Sequence, residues 1–472
     1  MKLRSYKIFK LALLIFLFTV SVLAQEKRAV VFRNVTLIDM RIEQPQQNMT
    51  VVVEANRIAK IGRNVKIPKN AEVIDASGKF LIPGLWDMHS HFLFEGLKEP
   101  FMKLFIPNGV TGVRDLGGEL LEQLSQIRQS ITEGKILGPR IVAAGPIVDG
   151  PKPVWKFSIP VSNAEEGRKA VRTLKEKGAD FVKIYSLLSR DSYFAIADEA
   201  NKQKIPFAGH IPNAVTAVEA SGAGQKSIEH IFIYLDVSSD EKELRRERSE
   251  AEAKGQSEFN KVRAAQTSRI LNTFSEEKVK LLAERFARNG TWFVPTLTLH
   301  RSLAFLNDSS FAEDSRLKYI PKAIKSYWKM QREQMPEEVI KRNRLYYTKD
   351  LQIVGLMNRG GAKLLAGSDM GNPYVYPGFS LHDELALLVE AGLTPLEALR
   401  TTTVNPAKFF GKEKEFGTIE KGKLADLVLL DANPLADISN TRKINAVVVN
   451  GRLLKRADLD EMLNNVAESA KE

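Results

Sequence analysis

The stretch Gly84-Leu85-Trp86-Asp87-Met88-His89-Ser90-His91 ends an apolar run that begins at Phe80. Residues two apart in extended backbone point to the same side, so His89 and His91 direct both imidazoles into one space at the end of a strand. Neutral imidazole is a favoured ligand of zinc and related divalent metals. A hydrogen-bonded structural pair is the alternative interpretation of these two residues taken alone.

Beyond this stretch, apolar strands alternate with helical segments as far as about Phe410. Such alternation predicts an α/β fold with parallel strands, and eight strand–helix units match a (β/α)8 TIM barrel. Catalytic groups of that architecture lie at the C-terminal ends of the strands. The predicted strand ends are Met88, Arg114, Ala144, Lys183, Gly209, Glu229, Leu297 and Gly367.

Short β segments before and after this region predict a small composite β-sandwich domain formed from both chain ends. A charged tail at the C-terminus is expected to be frayed. Two polar helical insertions, residues 239–268 and 312–349, would overhang the barrel mouth and could form a lid. The predicted boundaries are 25–82 and 411–456 for the β domain, 83–410 for the barrel and 457–472 for the tail.

The distribution of histidine strengthens the case for a metal site. The chain has only six histidines, and His210 and His230 each end a further predicted strand. Asp369 closes the apolar run that starts at Lys363. A single buried histidine is more often a hydrogen-bonded structural residue, but four of six at predicted strand ends, together with an aspartate, are not a random scatter. The set predicts a metal centre at the barrel mouth.

Three motifs resemble one known family. The stretch from Gly84 to His91 looks like the metal-binding signature of the amidohydrolase superfamily, in its imidazolonepropionase-related and prolidase-like dipeptidase branch. Gly367-Ser368-Asp369 and the later segment from Ala425 to Asp431 resemble the same branch. The resemblance covers nearly the whole chain after the N-terminal leader, and it implies a barrel joined to a composite β domain.

The resemblance also implies a hydrolase with two divalent metal ions, which we take to be Zn²⁺. By position, His89 and His91 would bind the more buried ion, and His210 and His230 the more exposed one. Asp369 would complete the buried site and transfer the proton of the attacking water. The implied reaction is amide hydrolysis by a hydroxide that bridges the metals, with small peptides or N-acyl amino acids as the leading substrates.

Lys183 lies where the family places a bridging lysine, at the end of the fourth strand. The implied chemistry is a carbamate formed with carbon dioxide or bicarbonate, which provides a carboxylate between the two cations. Desolvation and nearby positive charge favour the neutral amine, the form that reacts with carbon dioxide, although free lysine titrates near ~10.4. A strand-end lysine that extends to solvent is the alternative interpretation.

Substrate contacts are indicated less directly. Tyr185 shares a face with Lys183, and its hydroxyl could bind a carbonyl or oxyanion, or its ring could simply pack at the rim. Arg114 could clamp a substrate carboxylate, although a structural pair with Asp115 or another acid is favoured. His300 is a further candidate for a substrate contact, whereas His382 is not expected to be a ligand.

The N-terminus predicts export. Four basic residues precede an apolar run from Leu11 to Val20, and Val22-Leu23-Ala24 suits a signal peptidase, so residues 1–24 are interpreted as a cleaved signal peptide. The product would be periplasmic or secreted, with no stable membrane anchor. Removing the leader leaves +8 of the net charge of +12. The chain has no cysteine, which excludes disulfides and thiolate ligands, and it shows no nucleic-acid motif.

Two other functions stay open from the sequence. A cyclic amide or lactone hydrolase could use the same binuclear site, and a secreted binding protein could retain a vestigial one. Deamination is disfavoured because no carboxylate closely follows His210, and imidazolonepropionase activity is disfavoured because that enzyme lacks the bridging lysine. The oligomeric state, including a homo-oligomer, is also left open.

Overall fold

A computed structural model describes residues 28–471, so the predicted signal peptide lies outside the described residues. Within them the strands are β1 Val30–Leu37, β2 Gln46–Glu54, β3 Arg57–Gly62, β4 Glu72–Asp75, β5 Phe80–Pro83, β6 Leu85–Ser90, β7 Val110–Asp115, β8 Arg140–Ala143, β9 Val148–Asp149, β10 Ile159–Pro160, β11 Val182–Ile184, β12 Phe207–Gly209, β13 Ser227–Glu229, β14 Trp292–Val294, β15 Lys363–Leu364, β16 Leu427–Leu430, β17 Ile444–Val449 and β18 Arg452–Lys455.

The helices fill the intervals between the later strands. They are α1 Lys98–Phe105, α2 Leu124–Thr132, α3 Ala164–Glu176, α4 Arg190–Gln203, α5 Ala217–Gly222, α6 Glu241–Ala253, α7 Gln256–Ala265, α8 Thr267–Asn272, α9 Glu276–Asn289, α10 Leu297–Ala304, α11 Ser309–Ala312, α12 Lys322–Gln334, α13 Glu337–Arg359, α14 Phe379–Glu390, α15 Pro395–Thr401, α16 Val404–Phe410 and α17 Arg456–Ser469. None of the helices between residues 28 and 471 reaches the length and apolar content of a membrane-crossing segment.

Strands from both chain ends share one sheet of eight. Its order is β18-β17-β16-β5-β1-β2-β3, and β4 pairs with β1. The junction between the two ends is the antiparallel pair β5–β16, in which Leu81 faces Leu429. The alternate side chains of these strands that point inward form a separate apolar cluster, which includes Phe32, Val51 and Leu427. This sheet is therefore held together by residues more than 340 positions apart.

The remaining strands are parallel, which confirms the α/β class. A three-stranded sheet has the order β6-β7-β8, and a seven-stranded sheet has the order β10-β9-β11-β12-β13-β14-β15. Backbone hydrogen bonds join the two sheets at both sides. Asp180 N–H donates to Ala143 O at 2.9 Å, and Met88 N–H donates to Ala366 O at 2.9 Å. The largest apolar cluster surrounds these strands and reaches the helices outside them.

Gly84 is the single residue between β5 of the terminal sheet and β6 of the parallel set. A Cβ at this position would lie 2.1 Å from Thr111 Oγ1, so only glycine permits β6 to approach β7 this closely. The chain therefore passes directly from one sheet into the strand that leads to His89.

Two predicted strand ends are wrong in position. Leu297 is not in a strand: β14 ends at Val294, Pro295 follows, and Thr296 adopts a left-handed backbone with φ of 50° before α10 begins. Gly367 also lies outside regular strand, because β15 ends at Leu364. Pairing with β14 nevertheless continues one residue beyond β15, because Leu365 N–H donates to Phe293 O at 3.0 Å.

The prediction of a frayed C-terminal tail is also wrong. Residues 456–469 form α17, and Leu459 and Val466 on one of its faces are buried. The helix packs against α1 because two apolar positions seven residues apart lie on the same side of a helix. The two predicted insertions are helical, as α6 to α8 and α11 to α13.

Candidate metal centre

Five strands bring the predicted ligands to one place. His89 lies in β6 and His91 directly beyond it, Lys183 lies in β11, and His210 and His230 are the first residues after β12 and β13. Asp369 follows β15 by five residues, and its backbone N–H donates to His89 O at 2.8 Å. All are buried except His91, which is partly exposed.

The backbone at these positions is unusual. His230 and Asp369 adopt left-handed conformations, with φ of 64° and 58°. Such conformations cost about 1–3 kcal/mol for a residue other than glycine, and they persist where surrounding contacts enforce them. Two glycines permit the close approach. A Cβ on Gly367 would lie 2.5 Å from His89 Cβ, and one on Gly209 would lie 2.9 Å from Lys183 Cδ.

The ligand atoms face one another across short distances. The Asp369 carboxylate lies 3.5 Å from His89 Nε2 and 3.2 Å from His91 Nε2. His89, His230 and Asp369 each offer one atom within 4.8 Å of the others, the spacing of a metal-ligand group. His210 joins the set through its ring, whose centroid is 4.8 Å from that of His230.

Each of the four imidazoles is oriented by a contact at Nδ1. His89 Nδ1 lies 2.9 Å from Glu229 Oε2, and His91 Nδ1 lies 3.3 Å from Gly117 O. The hydroxyls of Ser186 and Thr296 lie 2.8 Å and 2.7 Å from Nδ1 of His210 and His230, respectively. Because Nδ1 is engaged in every case, Nε2 is the ring atom left for a metal.

Beneath His89 lies a fully buried ion pair that corrects the interpretation of Arg114. Its guanidinium donates to Glu229 at 2.9 Å and 3.0 Å, to Ser227 Oγ at 2.9 Å and to Met88 O at 2.7 Å. A residue with no exposed surface and these partners is not available to a substrate carboxylate. The favoured alternative, a structural pair with an acid, matches the structure, with Glu229 rather than Asp115 as the partner.

Asp87 links β6 to the segment that follows β15. Its carboxylate accepts hydrogen bonds from the Ser368 backbone N–H at 2.9 Å and from the Ser368 hydroxyl at 2.5 Å. The backbone N–H of His89 donates to the same carboxylate at 3.2 Å. These bonds fix the segment that ends in Asp369 relative to the His89 main chain.

The electrostatics favour neutral imidazoles at three of the four histidines, beside an ionised carboxylate. Burial lowers the pKa of His89, His210 and His230 well below the ordinary value of histidine. At His91 burial opposes protonation, but the neighbouring Asp369 raises the pKa overall. Burial acts in the opposite sense on Asp369, yet the neighbouring His89, His91 and Lys183 lower its pKa overall. Neutral nitrogen and anionic oxygen are the ligand forms that a divalent metal requires.

Lys183 has a buried amine without a hydrogen-bond partner among the described residues. Burial, the largest cause, lowers its pKa to about 8. His89 Nε2 and Asp369 Oδ1 are likewise buried without a hydrogen-bond partner. Unsatisfied buried polar atoms are costly, and three that converge on one space fit the donor set of a metal centre.

The two remaining candidates for substrate contacts lie next to this set. The Tyr185 ring stacks on His210 with centroids 3.8 Å apart, and its hydroxyl accepts a hydrogen bond from Trp155 Nε1 at 3.0 Å. His300 Nδ1 lies 2.7 Å from Asp350 Oδ2, and its ring is 6.4 Å from that of His230. Burial opposes it, but Asp350 raises the pKa of His300.

Four further residues shape the site, although the sequence did not predict a role for them there: Glu229, Asp87, Ser186 and Thr296. Glu229 and Asp87 carried a detectable signal, because each is a carboxylate inside an apolar strand next to a predicted ligand. Ser186 and Thr296 carried none, because hydroxyl residues are common at strand ends.

A family model now identifies the chain. Residues 80–454 match the amidohydrolase family. The chain belongs to the amidohydrolase family. The resemblance inferred from the motifs is thereby confirmed, and this amidohydrolase is a hydrolase that acts on carbon–nitrogen bonds.

Three known proteins resemble this amidohydrolase along most of its length. Ochratoxinase of Aspergillus niger is 25% identical, with 86% of this chain and 82% of the relative covered. A solved Xaa-Pro dipeptidase with bound methionine is 22% identical, with a TM-score of 0.66 and coverage of 90% and 100%. A bottromycin amidohydrolase is 24% identical, with a TM-score of 0.73 and coverage of 94% and 91%. The two structures share its fold.

Proposed function

We propose that this amidohydrolase hydrolyses amide bonds of small peptides or N-acyl amino acids with the help of two divalent metal ions. The observation that carries the proposal is the convergence of four imidazoles, one carboxylate and one buried amine on a single space. Two similar proteins support the proposal. One is an Xaa-Pro dipeptidase, whose name describes an enzyme that acts on a peptide, and the other is ochratoxinase, whose sequence aligns with most of this chain.

The residues divide into two ligand groups. His89, His91 and Asp369 would hold one ion, and His210 and His230 the other. Lys183 would contribute to both as a carbamate, in which its neutral amine adds to carbon dioxide and releases one proton. Zn²⁺ suits these nitrogen and oxygen ligands. When bound, the ions would acidify a water molecule and polarise the scissile carbonyl.

The protein's own groups supply the proton transfer and the orientation. Asp369 is ionised and lies at the centre of the ligand set, so it can accept a proton from the attacking water and deliver it to the leaving nitrogen. The Tyr185 hydroxyl accepts its hydrogen bond from Trp155, which leaves its own proton free to donate to the substrate oxygen. Burial raises the pKa of Tyr185 to about 12, so that proton is retained at neutral pH. His300, paired with Asp350, is a further candidate for a substrate contact.

The proposed architecture is the predicted (β/α)8 barrel with a composite β-sandwich domain. Closure of the parallel strands is supported by the backbone bonds from Met88 to Ala366 and from Asp369 to His89, which join the first strand to the last. A β domain composed of both chain ends is supported by the eight-stranded sheet that they build together. Ligands at the C-terminal ends of the strands are typical of such barrels.

The decisive experiment is a substrate panel on the mature protein loaded with zinc in bicarbonate. We expect the wild-type protein to hydrolyse dipeptides or N-acyl amino acids and to bind two zinc equivalents per chain. Lys183→Ala should lose both the hydrolytic activity and the zinc affinity. The loss should exceed the roughly 10- to 100-fold that removal of an outer partner of a metal ligand costs. Lys226→Ala is the matched control, because Lys226 also adjoins a parallel strand but packs over Phe409.

Other outcomes of this panel discriminate the remaining functions. Hydrolysis of lactones or cyclic amides without cleavage of linear amides would replace the proposed substrate class. A protein that binds no zinc and cleaves nothing would be a binding protein with a vestigial site.

We further propose that the protein is exported and that residues 1–24 are removed. The basic leader, the short apolar run and Val22-Leu23-Ala24 support this proposal. N-terminal sequencing of protein from a periplasmic fraction should begin at Gln25. Retention of Met1 in the cytoplasmic fraction would contradict it.

A further inference from the structure

Two exposed aromatic side chains lie at the candidate site rather than on an outer helix. Trp155 is 41% exposed, and Phe232 is 50% exposed. Trp155 donates to the Tyr185 hydroxyl, and Phe232 contacts the rings of His210 and His230, each with centroids 5.1 Å apart. Large apolar side chains that remain exposed beside a polar centre mark a surface that a ligand covers.

These two residues belong to a continuous row of rings. Phe94, three residues after His91, packs edge-on against Phe157 with centroids 4.7 Å apart. Phe157 stacks on Trp155 at 6.0 Å and an interplanar angle of 20°. From Trp155 the row passes through Tyr185 and His210 to Phe232. We call Phe94, Phe157, Trp155, Tyr185 and Phe232 the aromatic rim.

The rim provides flat apolar surface next to the reacting atoms. Tyr185 is held against His210 by stacking, and the hydrogen bond from Trp155 fixes the relative position of the two residues. Aromatic pairs in offset or edge-on geometry gain about 0.5–1.5 kcal/mol beyond the burial of their area. A substrate ring that replaces water on Trp155 or on Phe232 would gain both the burial of apolar area and the ring–ring attraction. A methyl side chain would gain neither in full.

We propose that Trp155 and Phe232 select substrates that carry an aromatic ring on the residue next to the scissile amide. This inference rests on the proposed amide hydrolysis and names its substrate class. It makes Trp155 and Phe232 specificity-determining residues, distinct from the metal ligands and from Asp369.

The first test compares dipeptides on the zinc-loaded protein. The panel is Ala-Ala, Leu-Ala, Phe-Ala and Ala-Phe, so that ring position and simple apolarity are separated. We expect the better phenylalanine dipeptide to exceed Leu-Ala in kcat/KM by about 2- to 13-fold, the factor that corresponds to one aromatic pair, and to exceed Ala-Ala by more. Trp155→Ala and Phe232→Ala should each reduce that preference, measured as a ratio within one variant.

Two control variants separate ring contact from general damage. Trp155→Phe keeps a ring but removes the donor to Tyr185, and it should keep most of the aromatic preference. Leu281→Ala removes an apolar side chain on α9 that is 53% exposed, close to the exposure of Phe232, and it should leave the preference unchanged. Equal kcat/KM for phenylalanine and alanine dipeptides in the wild type would overturn the inference.

The second test is binding rather than turnover. The other three tryptophans, Trp86, Trp292 and Trp328, are buried, so Trp155 is the one whose emission responds to a ligand at the surface. L-phenylalanine should change the fluorescence in a saturable way, and L-alanine should not. The change should vanish in Trp155→Phe.

Failure of the two proposals is distinguishable. A protein that cleaves neither the dipeptides nor N-acyl amino acids but shows the saturable response to L-phenylalanine refutes the amide-hydrolase proposal and keeps the aromatic rim. A protein that cleaves dipeptides without aromatic preference, or whose fluorescence responds equally to L-alanine, refutes the aromatic rim and keeps the hydrolase.

Discussion

At the scale of single residues, the orientation of a proposed metal ligand is clearest at His89. Its Nδ1 is bound to Glu229, and Glu229 is in turn held by Arg114 and by the Ser227 hydroxyl at 2.5 Å. A carboxylate behind a ligating imidazole fixes the ring and raises its basicity. The ion pair of Glu229 with Arg114 is fully buried, so removing either charge would leave the other buried without compensation.

We therefore predict two effects for Glu229→Gln. Metal affinity should fall about 10- to 100-fold, because His89 loses its anionic partner. The free energy of unfolding should fall by about 3–5 kcal/mol, because Arg114 is left buried and uncompensated. Competition with a chelator and urea unfolding measure the two quantities. Asp236→Asn breaks a partly buried pair, with Arg245 at 3.0 Å, and should destabilise without weakening metal binding. Wild-type affinity in Glu229→Gln would contradict the prediction.

The sequence could predict which side chains lie close together but not the residues that support them. Histidine is rare in this chain, and four of the six stand at predicted strand ends, so these residues could be recognised as candidates. Arg114 and Glu229 are 115 positions apart, and no local pattern relates two residues at that distance. Arg114 was therefore considered as a substrate clamp, although its partner Glu229 lies in β13, in a different sheet of the parallel set.

At the scale of elements, α14 supports α10 through one carboxylate. Glu384 accepts hydrogen bonds from the backbone N–H groups of Leu297 at 3.1 Å and Thr298 at 2.7 Å, at the N-terminus of α10. Burial, the dominant cause, raises the pKa of Glu384 to about 7, although these bonds act in the opposite sense. The helix that carries His300 is thus joined to a group that titrates near neutral pH.

A pH dependence of stability follows from Glu384. Its pKa is about 7 in the folded protein and about 4.5 when unfolded, so the folded state binds more protons between these values. The stabilising contribution is complete below pH 4.5 and is lost as the pH rises through 7, a change of about 3 kcal/mol. Urea unfolding of the metal-free protein across this range should show the decline, and Glu384→Gln should flatten it. Glu390→Gln, at the exposed end of the same helix, should not alter the slope.

The C-terminal helix allows a direct test of packing. Leu459 is fully buried on α17, so Leu459→Ala should lower the free energy of unfolding by about 3 kcal/mol, the typical cost of an unfilled core site. Leu345→Ala, on α13 and 55% exposed, should change it by less than about 0.5 kcal/mol. Urea denaturation measures both. A disordered tail would make the two variants indistinguishable.

The errors at this scale have one physical origin, which is that local composition does not report tertiary contacts. The charged tail resembles a frayed end, yet Leu459 and Val466 give it an apolar face that α1 covers. In Leu297-Thr298-Leu299 the alternation suggests a strand, but Pro295 ends β14 and the left-handed Thr296 turns the chain into α10. The α/β class itself was accessible, because strands buried on both sides read as apolar runs.

At the scale of the whole molecule, the eight-stranded sheet of the chain ends is connected directly to the parallel strands. β5 pairs with β16 near the end of the chain, and Gly84 connects β5 to the strand that carries His89. The proposed ligands extend from His89 to Asp369, so they draw on five separate strands. An ion that binds only this arrangement would stabilise the entire fold rather than one loop.

Metal binding should therefore shift global unfolding. A ligand present at about 1,000 times its Kd stabilises the folded state by about 4 kcal/mol, provided that it binds the folded state alone. We expect the wild-type protein to gain about this amount between chelator and excess zinc, in a single urea transition. His89→Ala should lose the gain. His382→Asn is the control: His382 is buried and bonded to Asn108 O and Thr441 at 3.0 Å, away from the ligand set, so this variant should be less stable yet retain the full increment. An increment that is the same in His89→Ala as in the wild type would place the metal elsewhere.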